Sequence, residues 1–355
     1  MNSIKLGSKI VNDNSLYFIA DIGANHNGSL DKAKKLILLA KESGADAAKF
    51  QNFQADKIVS KLGFYKMKGK LSHQSKWKKS IFEVYEDASI SKDWTKILKA
   101  ECNKVGIDYF TSPYDFESVD QVDPYVDLYK IGSGDISWLE IIDYIIGKNK
   151  PVLIATGASS DEDVKRVMDL ALSKTKNIVL MQCNTNYTGS NDNFKYCNLN
   201  VLNKFKNDYP QVVLGLSDHT HGHATTLGAI TLGARVIEKH FTDDNHQDGP
   251  DHSFAMNPKT WRGMVDRSYE LLSALGDGVK RVEANEAQSQ IVQRRCLRVN
   301  KNLKKGHILT NNDIIALRPV SERGIHPYDI HSLIGKSLNT NMESGEHITQ
   351  KSIVL

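Results

Sequence analysis

The chain has 355 residues, 40% of them apolar and 25% charged, with a formal net charge of +4. That length suits one large and one small domain, and so slight a charge gives no reason to expect a nucleic-acid partner. The four cysteines, Cys102, Cys183, Cys197 and Cys296, show no CxxC spacing and no run of 18 apolar residues occurs, so reduced thiols, a cytoplasmic setting and no membrane partner are expected.

After a polar lead-in, Leu16 to Ile22 reads as a short apolar strand and Gly23 to Gly28 as a turn. Ser29 then caps a helix from Leu30 to Ser43 with apolar residues at 33, 36, 37 and 40, stopped by Gly44. Strand patterns recur at Asp46 to Gln51, Ile107 to Ser112, Leu128 to Gly132, Pro151 to Thr156, Ile178 to Cys183, Val212 to Ser217 and Arg235 to His240. Helical patterns lie between most of them, for example Asp161 to Leu172 and Ala224 to Leu232. The last, Pro258 to Leu275, has Asn257 as its cap and Pro258 at its first position. Eight strand–helix units over about 260 residues predict a (β/α)8 TIM barrel spanning residues 1–276. An open doubly wound sheet is the alternative, and the regularity of the units favours closure.

One connection, from Phe53 to Ile90, is too long for a plain turn. It holds seven lysines between Lys61 and Lys79 and no acid among them. A solvated excursion is the plain reading; a lid near an anionic substrate is the functional one. Past Gly276, residues 277–293 read as a polar linker. Residues 294–355 read as a small β-rich module in which LKKGHILTNNDI and MESGEHITQKSI are two similar pieces.

In a barrel the reactive groups collect at the C-terminal ends of the strands. The polar residues that fall there are Asp21, Lys49, Gln51, Ser112, Lys130, Ser133, Thr156, Asn184, Ser217, His219, Glu238 and His240. Alternation along a strand puts Ser217 with His219 on one face, and Glu238 with His240 on one face. If these strands are parallel neighbours, two imidazoles, a carboxylate and a hydroxyl converge. His219 and His240 would then hold a divalent ion with several positions open, as a catalytic ion requires; His221, His223 and His246 are the competing imidazoles. Imidazole accepts zinc, manganese, iron or cobalt, so spacing alone does not name the metal. Glu238 is the candidate acid/base group. Inward-facing Lys49 and Lys130 serve either as Schiff-base nucleophiles or as anion-binding groups, and with Ser112, Ser133 and Ser217 nearby anion binding is favoured.

These motifs resemble those of a known family. IADIGANHNG (19–28), AAKFQ (47–51), YKIGSGD (129–135), ATG (155–157), GLSDHT (215–220), EKHFT (238–242) and GPDHSFAMNP (249–258) occur in the order seen in sialic acid synthases. The tail, with LKKGHILTNNDIIALRP (303–319) and GIHP (324–327), resembles their antifreeze-like (SAF) module. The resemblance implies a metal-dependent condensation of phosphoenolpyruvate (PEP) with an N-acylated amino sugar to a nine-carbon nonulosonic acid and phosphate. The ion on His219 and His240 would be Mn2+, with Mg2+ or Co2+ as alternatives.

Carried over position by position, the resemblance has Lys49, Ser112, Lys130, Ser133, Thr185 and Ser217 hold PEP. Glu238 handles protons, Tyr187 and Asp251 touch the sugar, and Arg318 reaches its N-acyl group in a domain-swapped homodimer. Asp21 and Asp135 stand where the family commonly has Glu, Thr185 where Asn is usual, and Ser112 where Thr is common. Each shortened acid retreats by about 1.5 Å. Two acceptors are therefore expected, N-acetylmannosamine or a 2,4-diacetamido-trideoxyhexose of the legionaminic or pseudaminic type. Another PEP-condensing 3-deoxy-ulosonate phosphate synthase, and a carbohydrate-binding protein with an inactive barrel, are the remaining readings.

Overall fold

In a computed structural model that describes residues 2–67, 74 and 77–354, the chain forms two compact units, Met1–Gly276 and Asp277–Leu355. In the first, eight parallel strands close into a barrel: β3 (Tyr17–Asp21), β4 (Ala47–Asn52), β5 (Asp108–Pro113), β6 (Tyr129–Ile131), β7 (Val152–Ala155), β8 (Ile178–Cys183), β9 (Val213–Asp218) and β10 (Ala234–His240). Each pairs with its sequence neighbours, and β10 closes on β3. Helices cover the outside, so the strands are buried on both faces and read as nearly continuous apolar runs; all six residues of β8 are buried.

Local signals and tertiary burial agree around the ring. The Ser29 side chain accepts a hydrogen bond from the Lys32 amide, and the helix Leu30–Glu42 buries Ala33, Leu36, Ile37 and Ala40, the apolar positions of its sequence pattern. Ser160 with Asp163, and Asn257 with Thr260, form reciprocal caps on the helices Asp161–Leu172 and Pro258–Ala274. Trp261 on the last helix is fully buried and meets Phe241 edge-on at 5.5 Å.

The polar lead-in is structured. β1 (Ile4–Leu6) and β2 (Lys9–Val11) form a hairpin whose Leu6 and Val11 are fully buried. It sits at the N-terminal end of the barrel, where the Asp108 carboxylate accepts from the Ser8 amide, the Ser8 hydroxyl and the Tyr17 hydroxyl. Gly7 makes this possible: its φ is +51°, and a Cβ there would lie 2.2 Å from the Asp108 carboxylate. Two three-residue strands are too short for periodicity to separate from a loop. This end of the barrel is thus plugged by apolar side chains, and the buried charges gather at the other end.

In the second unit β11 (Cys296–Val299) pairs antiparallel with β12 (Ile314–Leu317). The two similar sequence pieces occupy matching places. Leu303 bridges Met342, Thr310 and Thr349 each cap a following turn, and Leu309, Ile314, Ile348 and Ile353 share one core. Part of the stretch read as linker is helical, at Ala287–Val292, and the Ile291 carbonyl accepts from the Val320 amide. Leu6→Ala should cost about 2–5 kcal/mol through the cavity it leaves. A drop in the urea midpoint of the first unit's unfolding checks this.

Candidate active site

Strand register assembles the site. His240 lies opposite Asp21, Asp21 opposite Lys49, Gln51 opposite Ser112, and Glu238 opposite Ser217. These side chains point inward at the C-terminal ends of the strands, where barrel enzymes place their chemistry. Lys49, Lys130, Asp21 and Glu238 are each at least 96% buried.

The four charges are paired. Lys49 Nζ lies 2.7 Å from Asp21 Oδ2 and 3.8 Å from Glu238 Oε1. Lys130 Nζ lies 3.0 Å from the same Glu238 oxygen, and the Ser217 hydroxyl donates to it at 3.1 Å. Burial alone would favour the neutral acid at Glu238, but Lys130 and Lys49 overcome it and hold the carboxyl from an ordinary 4.5 down to about 2. Asp21 moves the other way, raised by burial and by the charge on Glu238 against the pull of Lys49. Burial also opposes the charge on Lys49, yet Asp21 and Glu238 keep it above its ordinary value. Asp135, partly buried beyond β6, is pushed up to about 6 by burial, with Lys130 pulling the other way.

The two imidazoles stand beside this cluster with ring centres 5.4 Å apart, a span that one ion can bridge at metal–nitrogen distances of about 2.0–2.1 Å. His219 Nδ1 hydrogen-bonds the Asn184 carbonyl at 2.9 Å, which places a proton on Nδ1 and makes Nε2 the atom left for a metal; burial opposes its charge, yet Cys183 and this carbonyl raise its pKa above the ordinary 6.5. His240 is held neutral, its pKa lowered to about 3 chiefly by burial. Its Nδ1 has no hydrogen-bond partner; neither do Asp21 Oδ1, Glu238 Oε2 and Ser112 Oγ, all buried. Orphaned polar atoms around the two rings are what a cation or a polar ligand would satisfy. Among the described residues no three His, Cys, Asp or Glu side chains form a metal-holding group, and His219 and His240 remain a candidate pair of nitrogen ligands. His221, His223 and His246 are exposed and lie outside the cluster.

The other expected positions separate into those the barrel gathers and those it does not. Tyr187 packs on both imidazoles, 4.3 Å from the His219 ring and 6.1 Å from the His240 ring. Asp251 Oδ2 lies 3.5 Å from His240 Nδ1 and accepts from the Ala24 amide at 3.3 Å. The Ser133 hydroxyl accepts from the Gly157 amide, and Thr185 Oγ1 lies 3.9 Å from the Cys183 thiol. Thr156 donates to the Met181 carbonyl, tying two strand ends together. Arg318 is exposed and follows β12 in the second unit.

A cavity of about 700 Å3 opens beside Tyr187, lined among others by Asn27, Val84, Thr188, Asp248 and Pro250. Lys78 reaches Asp248 at 3.3 Å and Lys79 reaches Asp87 at 2.5 Å. Residues 68–73 and 75–76 of the lysine-rich segment lie outside the described residues. Sequence reading missed the pairing of Lys49 with Asp21, for which adjacent strand ends were the available signal.

Buried lysines paired with carboxylates at the open end of a (β/α)8 barrel, beside two imidazoles and a cavity, define an enzyme-type site for anionic and polar ligands. The chain belongs to the NeuB family, whose model matches residues 36–280, and a SAF domain model matches residues 294–354. It is 32% identical to the N,N'-diacetyllegionaminic acid synthase of Legionella pneumophila over 343 residues, covering 94% of each chain. It is 30% identical to the pseudaminic acid synthase of Campylobacter jejuni over 345 residues, 95% of this chain and 96% of the relative. The fold matches the crystal structure of an N-acetylneuraminic acid synthetase from Leptospira borgpetersenii with a TM-score of 0.72 at 24% identity, over 81% of this chain and 95% of that one.

Glu238→Gln should flatten the acid side of the stability profile. A carboxyl depressed to about 2 contributes stability that is present above its ordinary 4.5 and lost as pH falls through the folded value. In urea titrations the wild-type advantage over Glu238→Gln should shrink as pH drops from 5 toward 2; an advantage that grows toward acid would contradict the assignment.

Proposed function

We propose that the chain is a condensing synthase that joins PEP to the open-chain aldehyde of an N-acylated hexose, giving a nine-carbon 2-keto acid and phosphate. The observation that carries this is the Lys130–Glu238–Lys49–Asp21 cluster facing two imidazoles. It offers ammonium groups to an anion, an ionised acceptor to a proton or a water, and a ligand pair to a cation. The names of the relatives support the substrate class, and the cavity beside Tyr187 has room for a sugar.

Lys49 and Lys130, with Ser112, Ser133, Thr185 and Ser217, bind the carboxylate and phosphate of PEP, since ammoniums and hydroxyls together suit clustered anionic oxygens. Tyr187 and Asp251 orient the sugar so that its carbonyl carbon meets C3 of PEP. Water adds at C2 and phosphate leaves with its bridging oxygen, so one C–C bond and one C–O bond form and one C–O bond breaks. Glu238, held ionised, accepts a proton from or positions that water. His219 and His240 would hold a divalent ion, Mn2+ ahead of Mg2+ or Co2+, which when bound would supply Lewis-acid polarisation of the sugar carbonyl. Arg318 meets the N-acyl group, contributed by a second copy in a domain-swapped homodimer working in the cytoplasm.

Asp21 engages Lys49, and an acid one methylene shorter than Glu would leave room for a larger substituent on the sugar. That favours a 2,4-diacetamido-trideoxyhexose over N-acetylmannosamine.

Phosphate release from PEP tests the reading, measured with N-acetylmannosamine, a 2,4-diacetamido-trideoxyhexose and phosphorylated aldoses, each with and without Mn2+. Release is expected with an unphosphorylated N-acylated hexose and only with the ion, fastest with the diacetamido sugar. Release confined to phosphorylated aldoses would point to a different ulosonate synthase, and no release with any sugar would end the proposal.

A further inference from the structure

The residues that alternate with the site residues on β9 and β10 point the other way, into the layer between barrel and helices. There Asp218 lies directly opposite Lys239. The two form an ion pair with relative exposures of 5% and 1%. Asp218 also accepts from the Thr220 amide and hydroxyl at 3.0 Å and from the Thr225 hydroxyl at 2.6 Å. The Lys239 ammonium donates a further bond to the Thr220 carbonyl at 2.7 Å. A charged pair in an apolar layer is poor value as a stabiliser, because well-packed apolar residues of similar volume often serve as well. Its geometry indicates another use.

β9 ends at Asp218, and its last register pair with β10 is Asp218 with Lys239. His240 is still gripped: the Phe241 amide donates to the Asp21 carbonyl at 2.8 Å, and the Met256 amide to the His240 carbonyl at 2.8 Å. His219 lies one residue past the end of its ladder. Its neighbours are instead held by one carboxylate–ammonium cluster anchored on β10, Asp218 through its side chain and Thr220 through its amide and carbonyl.

We propose that Asp218, Lys239 and Thr220 are positioning residues that clamp His219 from behind and set its distance from His240. The clamp acts through the peptide of His219, and nothing in it touches substrate. The proposal rests on the two-imidazole ion site put forward above, and its test separates the two.

The test uses the full chain and Mn2+ alone, with affinity from calorimetry and the visible spectrum of the Co2+-loaded protein as a geometric readout. The double variant Asp218→Leu/Lys239→Met removes the clamp while keeping the layer apolar. It should unfold near the wild-type urea midpoint yet bind Mn2+ about 10- to 100-fold more weakly, the usual effect of losing an outer support of a ligand, with a shifted Co2+ spectrum. A folded double variant with wild-type affinity and spectrum would overturn the proposal. Should it fail to fold, Thr220→Val keeps both charges and loses only the hydroxyl bonds. A several-fold weaker Mn2+ affinity is expected, and an unchanged one overturns the clamp. Wild-type protein that binds neither ion would instead remove the ion site itself and the clamp with it.

Discussion

Everything at the open end of the barrel depends on neutralising buried charge. Two ammoniums and two carboxylates lie within one cross-section of the strands, where a single unpaired charge would be strongly destabilising. Each is placed by register alone, on adjacent strands or across the barrel, so closure of the sheet and pairing of the charges are one event. The plugged N-terminal end and the apolar middle of the strands leave no other place for these groups.

That pairing also fixes protonation. With Lys130 and Lys49 beside it, Glu238 stays ionised, while burial keeps His240 neutral. A carboxylate that accepts and an imidazole with a lone pair to give are then available together at neutral pH. Burial also pushes Asp135 up to about 6, and raises Asp21.

Much of this was legible in the sequence because parallel barrel strands announce themselves twice, by apolar runs of regular spacing and by polar residues at their ends. The alternation Ser217/His219 and Glu238/His240 correctly put these side chains on one side of the sheet. Polarity at a strand end did not by itself identify a site residue, however. Thr156 ties backbone, and Asp218 and Lys239 turn outward into a second buried network. Alternation gives two faces without saying what covers each. The hairpin at Ile4–Val11 escaped because its strands are three residues long, and the bond between Lys49 and Asp21 because pairing across strands is a tertiary fact.

The proposed chemistry needs His219 and His240 to share one cation. Electron spin-echo modulation of Mn2+ bound to protein labelled with 15N only at histidine measures this directly. Couplings to two histidine nitrogens are predicted; coupling to one or none would contradict a shared ion.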